Sequence, residues 1–444
     1  LADASAVKES RNMPHVLNRR RFLGRALAVG SSLALASSVP SSEARSSPNE
    51  KLNLGVIGVA GRGADNLAAV RHENIVALCD VDLRRAERAR SEFPAAKFFE
   101  DYRRLLDQKN IDAVVISTPD HSHAIPAVLA MRAGKHVYCE KPLAHSVHEV
   151  RVMRETAAKH KIVTQMGTQI HAENNYRRVV EIVLSGILGP IARVHVWCQK
   201  RPTPGFLAKK ETPPPSGLNY DLWLGAAPYR PYHPSHLHFD WRWWWDFGGG
   251  ILADMACHYM DLPFWALDLR APSRISATGK VAHEGDNDVP DVMQVEYHFG
   301  PRGAAPAVHL TWYHGVMGPD VEGTRVYPGY ESGVLFEGEN GMLLADYGRH
   351  KLLPEAKFKD FVPPKPTIPA SLGHHREWLN AIKTGGPTTC NFDYSGALSE
   401  AVLLGNVAYR SRKELEWDSV AARVTNAPEA EKFMQREYRK GWTL

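Results

Sequence analysis

Apolar and polar positions along this chain repeat with two different patterns, and the change of pattern divides it. From residue 51 to about residue 170, short apolar runs are separated by stretches of helical spacing. Leu52–Gly58, Asn74–Leu78, Ile111–Ser117, His136–Cys139 and Val163–Gln169 read as strands, short apolar runs of the kind buried on both faces of a sheet. Ala64–Val70 and Ala124–Ala133 read as helices between them. Strands alternating with helices imply a parallel sheet with right-handed crossovers. A helix over Glu173–Ser185 follows, and then Ile191–Cys198, Arg274–Val281, Val292–Phe299, Ala307–Tyr313, Gly333–Glu337 and Gly341–Ala345. These recurring short segments predict a second, largely antiparallel open sheet in an α+β unit, into which a helix over Gly248–Leu267 packs. Helices over His374–Lys383 and Tyr394–Ser411 are expected to close over the junction. The reading is an α/β chain with an N-terminal domain over 51–170, a second α+β domain over 171–370, and C-terminal helices and tail over 371–444.

The turns of the first domain carry the chemistry. Its first strand runs into Gly58-Val59-Ala60-Gly61-Arg62-Gly63 and then a helix. A dinucleotide fingerprint needs glycine where the turn is tight, where backbone nears pyrophosphate, and where helix packs on strand. Gly58 and Gly63 stand at the outer positions; Ala60 holds the middle one, with Gly61 beside it and Arg62 following. The next strand ends at Asp80, placed for a carboxylate to bind ribose hydroxyls. Strand, turn, helix, strand and acid in register make this a Rossmann dinucleotide-binding unit. Asp80 favours NAD, while Arg84 and Arg85 keep NADP open. The loops Thr118-Pro119-Asp120-His121-Ser122-His123 and Glu140-Lys141-Pro142 fall at the same carboxyl edge of the sheet.

Length and charge refine this picture. The 444 residues exceed what one hydrophobic core usually serves, in keeping with two domains. Five scattered cysteines without CxxC spacing exclude a zinc ribbon and a disulfide framework. The net charge of +5 comes largely from one end. Asn18-Arg19-Arg20-Arg21-Phe22-Leu23 precedes a small-residue apolar stretch from Ala26 to about Val39, too short to span a bilayer. Paired arginines ahead of Phe-Leu resemble a twin-arginine export signal, with cleavage sites after Ala36 or Ala44. Residues 1–44 are therefore expected to be the signal and 45–50 a linker, giving a periplasmic or otherwise exported bacterial protein that engages the twin-arginine machinery. Without residues 1–44 the chain has 48 Lys and Arg against 46 Asp and Glu, so the case for a nucleic-acid partner falls away. No stretch reads as a membrane span.

Together, Gly58–Gly63, Thr118-Pro119 with His121, and Glu140-Lys141-Pro142 resemble the Gfo/Idh/MocA family over about 51–420. The resemblance implies an NAD(P)-dependent oxidoreductase acting on sugars or cyclitols, with the second domain binding substrate. It implies cofactor contacts from Gly58, Ala60, Gly61, Arg62, Gly63, Asp80, Thr118, Pro119, His121, Glu140 and Lys141, and a Lys141-Pro142 peptide that is often cis in the family. It also implies an Asp and a His one turn apart, matched by Asp254 and His258 after Gly248-Gly249-Gly250. The chemistry asks for such a set. Alcohol oxidation removes a hydroxyl proton as hydride leaves, and histidine is the usual base. Residues at i and i+4 share a helical face, so Asp254 and His258 can enter one cleft, with Asp261 expected to orient the imidazole or bind substrate. Lys141 would stabilise charge on the substrate oxygen. Gln169, Tyr176 and Arg177 are expected near the nicotinamide as substrate contacts. Trp245, in the run Trp241-Arg242-Trp243-Trp244-Trp245, is expected to stack on a sugar or to join a core or subunit interface.

His233, His236 and His238 lie close in sequence but without helical spacing, so no metal is expected in catalysis. Export leaves no evident pool to recycle the cofactor, so NAD or NADP is expected to stay tightly bound. Net oxidoreduction of a sugar is the first reading. Redox-neutral glycoside hydrolysis by oxidation, elimination and re-reduction is a second, and a noncatalytic sugar-binding protein a third. Homo-oligomerisation through the second sheet is expected.

Overall fold

The computed structural model describes residues 50–315, 318 and 329–444; the expected export signal lies outside them. Strands β1 (Asn53–Ile57), β2 (Asn74–Cys79), β3 (Lys97–Phe99), β4 (Ala113–Ile116), β5 (His136–Cys139) and β6 (Thr164–Met166) form one sheet in the order 3-2-1-4-5-6. Every pairing in it is parallel. β4 is buried at all its residues, and β1 at all but the first, because helices cover both faces and no strand alternation survives. The strand order reverses between β1 and β4, where such sheets open a crevice at their carboxyl ends.

The second sheet comprises β7 (Ile191–Cys198), β8 (Arg274–Lys280), β9 (Val292–Phe299), β10 (Val308–His314), β11 (Ser332–Gly338), β12 (Gly341–Ala345), β13 (His350–Leu353), β14 (Leu415–Asp418) and β15 (Arg423–Val424). Its order is 13-12-11-7-10-9-8-14-15, antiparallel throughout except that β7 and β10 run parallel. One face is covered by helices and the other is not, so β9 alternates buried and half-buried residues. The helix Phe392–Ser411 runs through the core, its stretch 395–408 buried without interruption against β8 and the helices Val147–His160 and Gly250–Tyr259. The expected helix over Gly248–Leu267 is two helices, Gly250–Tyr259 and Asp261–Ala266. Pro263 lacks a donor for the Tyr259 carbonyl and its ring crowds that carbonyl, so the first helix stops there.

The helix His374–Thr384 returns to the first domain. Its Trp378 packs edge-on to Tyr138 of β5, and its Lys383 Nζ lies 2.5 Å from Glu73 Oε1. Among the described residues, the two sheets are parts of one compact unit. Among the described residues, no helix is long and apolar enough to cross a membrane.

Candidate active site

At the sheet's carboxyl edge the chain folds around a cleft of about 780 Å³, lined from both domains. Gly58 sits at the end of β1 with φ of 79°, a conformation that disfavours a side chain, and its N–H donates to the Cys79 carbonyl (2.8 Å). A Cβ on Gly63 would stand 2.0 Å from the Gly58 oxygen, so the third glycine is fixed by contact between helix and strand. Gly61, at the helix N-cap, supplies no side-chain cap, and a Cβ there would meet only Arg85 Nη2, at 3.4 Å. The helix Arg62–Val70 therefore starts at the cleft wall without a side-chain cap, its Gly63 and Ala64 N–H groups donating to the Ala60 and Gly61 carbonyls (3.0 Å each), and its positive end favours a phosphate there. Asp80 closes this end. Its two carboxylate oxygens accept from the Val59 N–H (3.0 Å) and the Asp82 N–H (3.0 Å). Burial raises its pKa against those two hydrogen bonds. A dinucleotide fits this cradle.

Ala60, Arg62, Thr118, Pro119, Glu140 and Lys141 continue the wall. Glu140 Oε1 accepts from Arg62 Nε (3.2 Å) and Asn66 Nδ2 (2.9 Å), which ties the glycine turn to the Lys141 loop. The Lys141-Pro142 peptide is cis. His123, which the sequence reading left without a role, has its ring nitrogens 2.9 Å from the Pro142 oxygen and 2.8 Å from the Thr118 oxygen, bridging both loops.

The substrate end is organised around Asp254. Its Oδ1 accepts from Lys141 Nζ (2.8 Å) and Arg242 Nε (2.8 Å), and its Oδ2 from Lys200 Nζ. Burial alone would raise this carboxyl, but Lys141, Arg242 and Lys200 together hold it well below the usual range. Asp254 therefore does not orient His258; it gathers three cations at the cleft wall. His258 lies one turn on and lines the same cleft, with Nδ1 buried and unpartnered. Burial, then Lys141, depresses its pKa well below that of a free imidazole, so the ring is neutral and ready to accept a hydrogen bond or a proton. Lys200 and Arg242 were not foreseen. Lys200 follows β7, and Arg242 sits within the tryptophan run, where each reads as a surface charge. Asp120 was also missed. It lines the cleft yet is 4% exposed, and burial pushes its pKa up to about 7 against the pull of Arg242 and Lys141.

Several expected contacts lie elsewhere. Asp261 is fully buried and takes hydrogen bonds from His171 Nδ1 (2.9 Å) and Tyr394 Oη (2.7 Å), so it serves neither His258 nor a substrate. The helix break at Pro263 begins a new helix at Asp261 and turns it off the face shared by Asp254 and His258. Tyr176 is buried and donates to the His258 carbonyl (3.0 Å), a support beneath the site. Arg177 donates to the Pro369 carbonyl (2.7 Å) and to Glu377 Oε1 (2.8 Å). Trp245 donates to the Asp288 carbonyl (3.0 Å) and is not on the cleft wall; the neighbouring Trp241 is. His121 is also off the wall, wedged between Trp223 and Phe247 with its ring nitrogens near their carbonyls. Burial, then Arg436, lowers its pKa to about 3, so it pins the second domain to the Thr118 loop as a neutral ring. Gln169 lines the cleft and its Oε1 is buried without a partner. His233, His236 and His238 do not converge: His233 binds Ser235, His236 packs on Trp244, and His238 faces Asp82.

Comparison with known proteins places this geometry. Residues 52–168 match the Gfo/Idh/MocA model described as an oxidoreductase family, NAD-binding Rossmann fold. Residues 174–302 match the companion model, the C-terminal alpha/beta domain of the oxidoreductase family. An inositol 2-dehydrogenase of Salmonella typhimurium is 31% identical over 150 residues, 32% of this chain and 45% of that enzyme. The chain thus spans just under half the length of that relative. A myo-inositol 2-dehydrogenase of Thermotoga maritima is 22% identical over 303 residues, 66% of this chain and 75% of that protein. In fold, the WlbA dehydrogenase of Bordetella pertussis, solved with NADH and UDP-GlcNAcA, aligns at a TM-score of 0.60 and 18% identity over 83% of this chain and 99% of its own. A levoglucosan dehydrogenase solved with NADH and levoglucosan aligns at 0.55 and 18% identity over the same shares.

Proposed function

The chain belongs to the Gfo/Idh/MocA oxidoreductase family, and from that premise we propose that it oxidises a secondary hydroxyl of a sugar or cyclitol. One observation carries the reading: a single cleft joins the uncapped glycine turn and Asp80 to Lys141, Asp254 and His258. Gly58, Gly61, the helix N-terminus at Arg62 and Asp80 would hold the dinucleotide, with Thr118 and Pro119 along its path. A nicotinamide bound there supplies a hydride acceptor. Asp80, whose carboxylate would repel a phosphate on the ribose, favours NAD over NADP.

Lys141 is held at the wall by the Asp254 side chain and the Asp254 carbonyl (2.5 Å), so its ammonium is fixed before substrate arrives. It would donate to the substrate oxygen and stabilise the charge that develops there. His258, neutral and with an unpartnered nitrogen, would take the hydroxyl proton. Trp241 and Phe239, on the outer wall, would lie along the apolar face of a ring. The reading extends to location. The Asn18–Leu23 pattern supports export by the twin-arginine route with cofactor already bound.

The test uses purified full-length chain without added cofactor. Its absorbance is recorded before and after adding myo-inositol, free hexoses and aryl glycosides. Growth of the reduced-nicotinamide band on adding a sugar or cyclitol is expected. Catalytic aglycone release without net reduction would replace this reading with redox-neutral hydrolysis. A chain that neither carries nor binds a dinucleotide would overturn it.

A further inference from the structure

The uncovered face of the second sheet carries a cluster that the cleft does not use. Along β9, Gln294, Glu296 and His298 are half-buried while Met293, Val295 and Tyr297 are buried, so the first three share the face away from the helices. β10 runs antiparallel beside β9 with His309 directly opposite His298. This register places a fourth side chain, His309, on the same face, within cross-strand reach. The two imidazoles stack with centroids 4.4 Å apart and planes 9° from parallel. His309 Nε2 lies 3.6 Å from Glu296 Oε2, too long for a hydrogen bond, and is buried with no partner. Glu296 Oε1 is steadied by the Gln294 amide (2.9 Å), which leaves Oε2 free. One ligand atom from each of the three residues falls within 4.8 Å of the other two.

We propose that Glu296, His298 and His309 bind a divalent transition-metal ion of the zinc type, at a site separate from the cleft. Two imidazoles and a carboxylate are a ligand set that zinc accepts, at about 2.0–2.1 Å in a tetrahedron. Ligand atoms then stand about 3.4 Å apart. The 3.6 Å pair already meets that spacing, and the third ligand atom, within 4.8 Å of the others, reaches it by a modest ring rotation. Both imidazoles are held below their ordinary pKa, chiefly by burial, with Arg274 acting on His298 and the stacked His298 acting on His309. Glu296 opposes both shifts, and His195 and Arg193 reinforce the one at His309. Neutral rings offer the lone pairs a metal needs. Three ligands from two paired strands leave a fourth position for water or for a group from another molecule. None of the three residues lines the cleft, so the site stands apart from the proposed oxidoreductase activity.

The full chain, stripped with chelator, is dialysed against Zn²⁺ or Co²⁺ and the bound metal is counted. Wild type is expected to hold one more ion per chain than the His298→Ala/His309→Ala double variant, and to gain thermal stability on adding zinc where the variant gains none. Glu296→Gln, nearly isosteric and on the sheet surface, is expected to weaken binding without altering the metal-free Tm. Cobalt separates this site from the buried group of His171, Asp261 and Cys390, whose ligand atoms also lie within 4.8 Å of one another. A thiolate-to-cobalt charge-transfer band that accounts for all the cobalt bound by wild type, and persists undiminished in the double variant, would overturn the proposal. Equal metal content in variant and wild type, or no metal bound by wild type, would do the same.

Discussion

Asp254 answers to three cations, and that arrangement sets what single substitutions should do. In Asp254→Asn the groups of Lys141, Arg242 and Lys200 lose their common anion within a largely buried wall. Leaving buried charge uncompensated costs about 3–5 kcal/mol. The variant is expected to melt well below wild type and to lose turnover, whereas Lys141→Met should lose turnover while still binding dinucleotide. Calorimetry and a fluorescence titration separate the two. Asp120 gives a prediction with a defined sign. Its folded pKa of about 7 lies above the ordinary carboxyl value of about 3.9, so the folded state favours the protonated form. Its contribution is complete below about pH 3.9 and is lost as pH rises through 7, at a cost of up to about 4 kcal/mol. Asp120→Asn cannot ionise. It should therefore gain stability over wild type in denaturant titrations at pH 8, relative to the same comparison at pH 5. A pH-independent difference between the two proteins would show that the carboxyl does not titrate in this range.

At the scale of elements, what the sequence made legible was what a short pattern decides. The glycine turn could be read because backbone contact, not packing from afar, selects its residues. Gly63→Ala would force a Cβ to 2.0 Å from the Gly58 carbonyl, so the turn must open. Dinucleotide affinity should fall at least about tenfold, equivalent to 1.4 kcal/mol, as equilibrium binding would report. The helix Val147–His160 went unread because its buried residues, Val147, Val150, Met153 and Ala157 among them, make a thin stripe broken by charges. Its start was nevertheless written in Ser146 and Glu149. The Ser146 hydroxyl accepts from the Glu149 N–H (3.3 Å) and Glu149 Oε2 accepts from the Ser146 N–H (3.0 Å). That capping box needs only a serine, two intervening residues and a glutamate. Ser146→Ala should cost about 1 kcal/mol in chemical denaturation.

Across the whole molecule, the two sheets and most of their strands follow from local periodicity, but the short edge strands β3, β13, β14 and β15 and the long-range pairings do not. Lys141 and Asp254 could be nominated separately; that Lys200 and Arg242 join them depends on how β7 and the tryptophan run are brought to one wall, 54 and 12 residues from Asp254. Asp261 and Tyr176 were misplaced for the converse reason: both carry suitable chemistry, and only packing shows that they face away from the cleft. The tail is another feature that no pattern announces. Arg436 Nη2 lies 2.9 Å from Glu149 Oε1, Tyr438 Oη donates to the same oxygen (2.7 Å), and Trp442 lies beneath the Arg103 guanidinium at 4.6 Å. Arg439 N–H meanwhile donates to the Ala226 carbonyl (3.1 Å), so one short segment grips both the first domain and the loop beyond Leu224. Glu149 is fully buried, and removing its charged donor leaves the carboxylate with neutral donors alone, Tyr438 Oη and the His145 and Ser146 N–H groups. Arg436→Met keeps the stem of that side chain and deletes the charge. It should lower stability by about 3 kcal/mol. Added salt should change that loss little, since a buried pair is poorly screened. Denaturant titrations at low and high ionic strength decide this: a loss that disappears in salt would mean the Arg436–Glu149 pair is solvated and the tail merely rests on the surface.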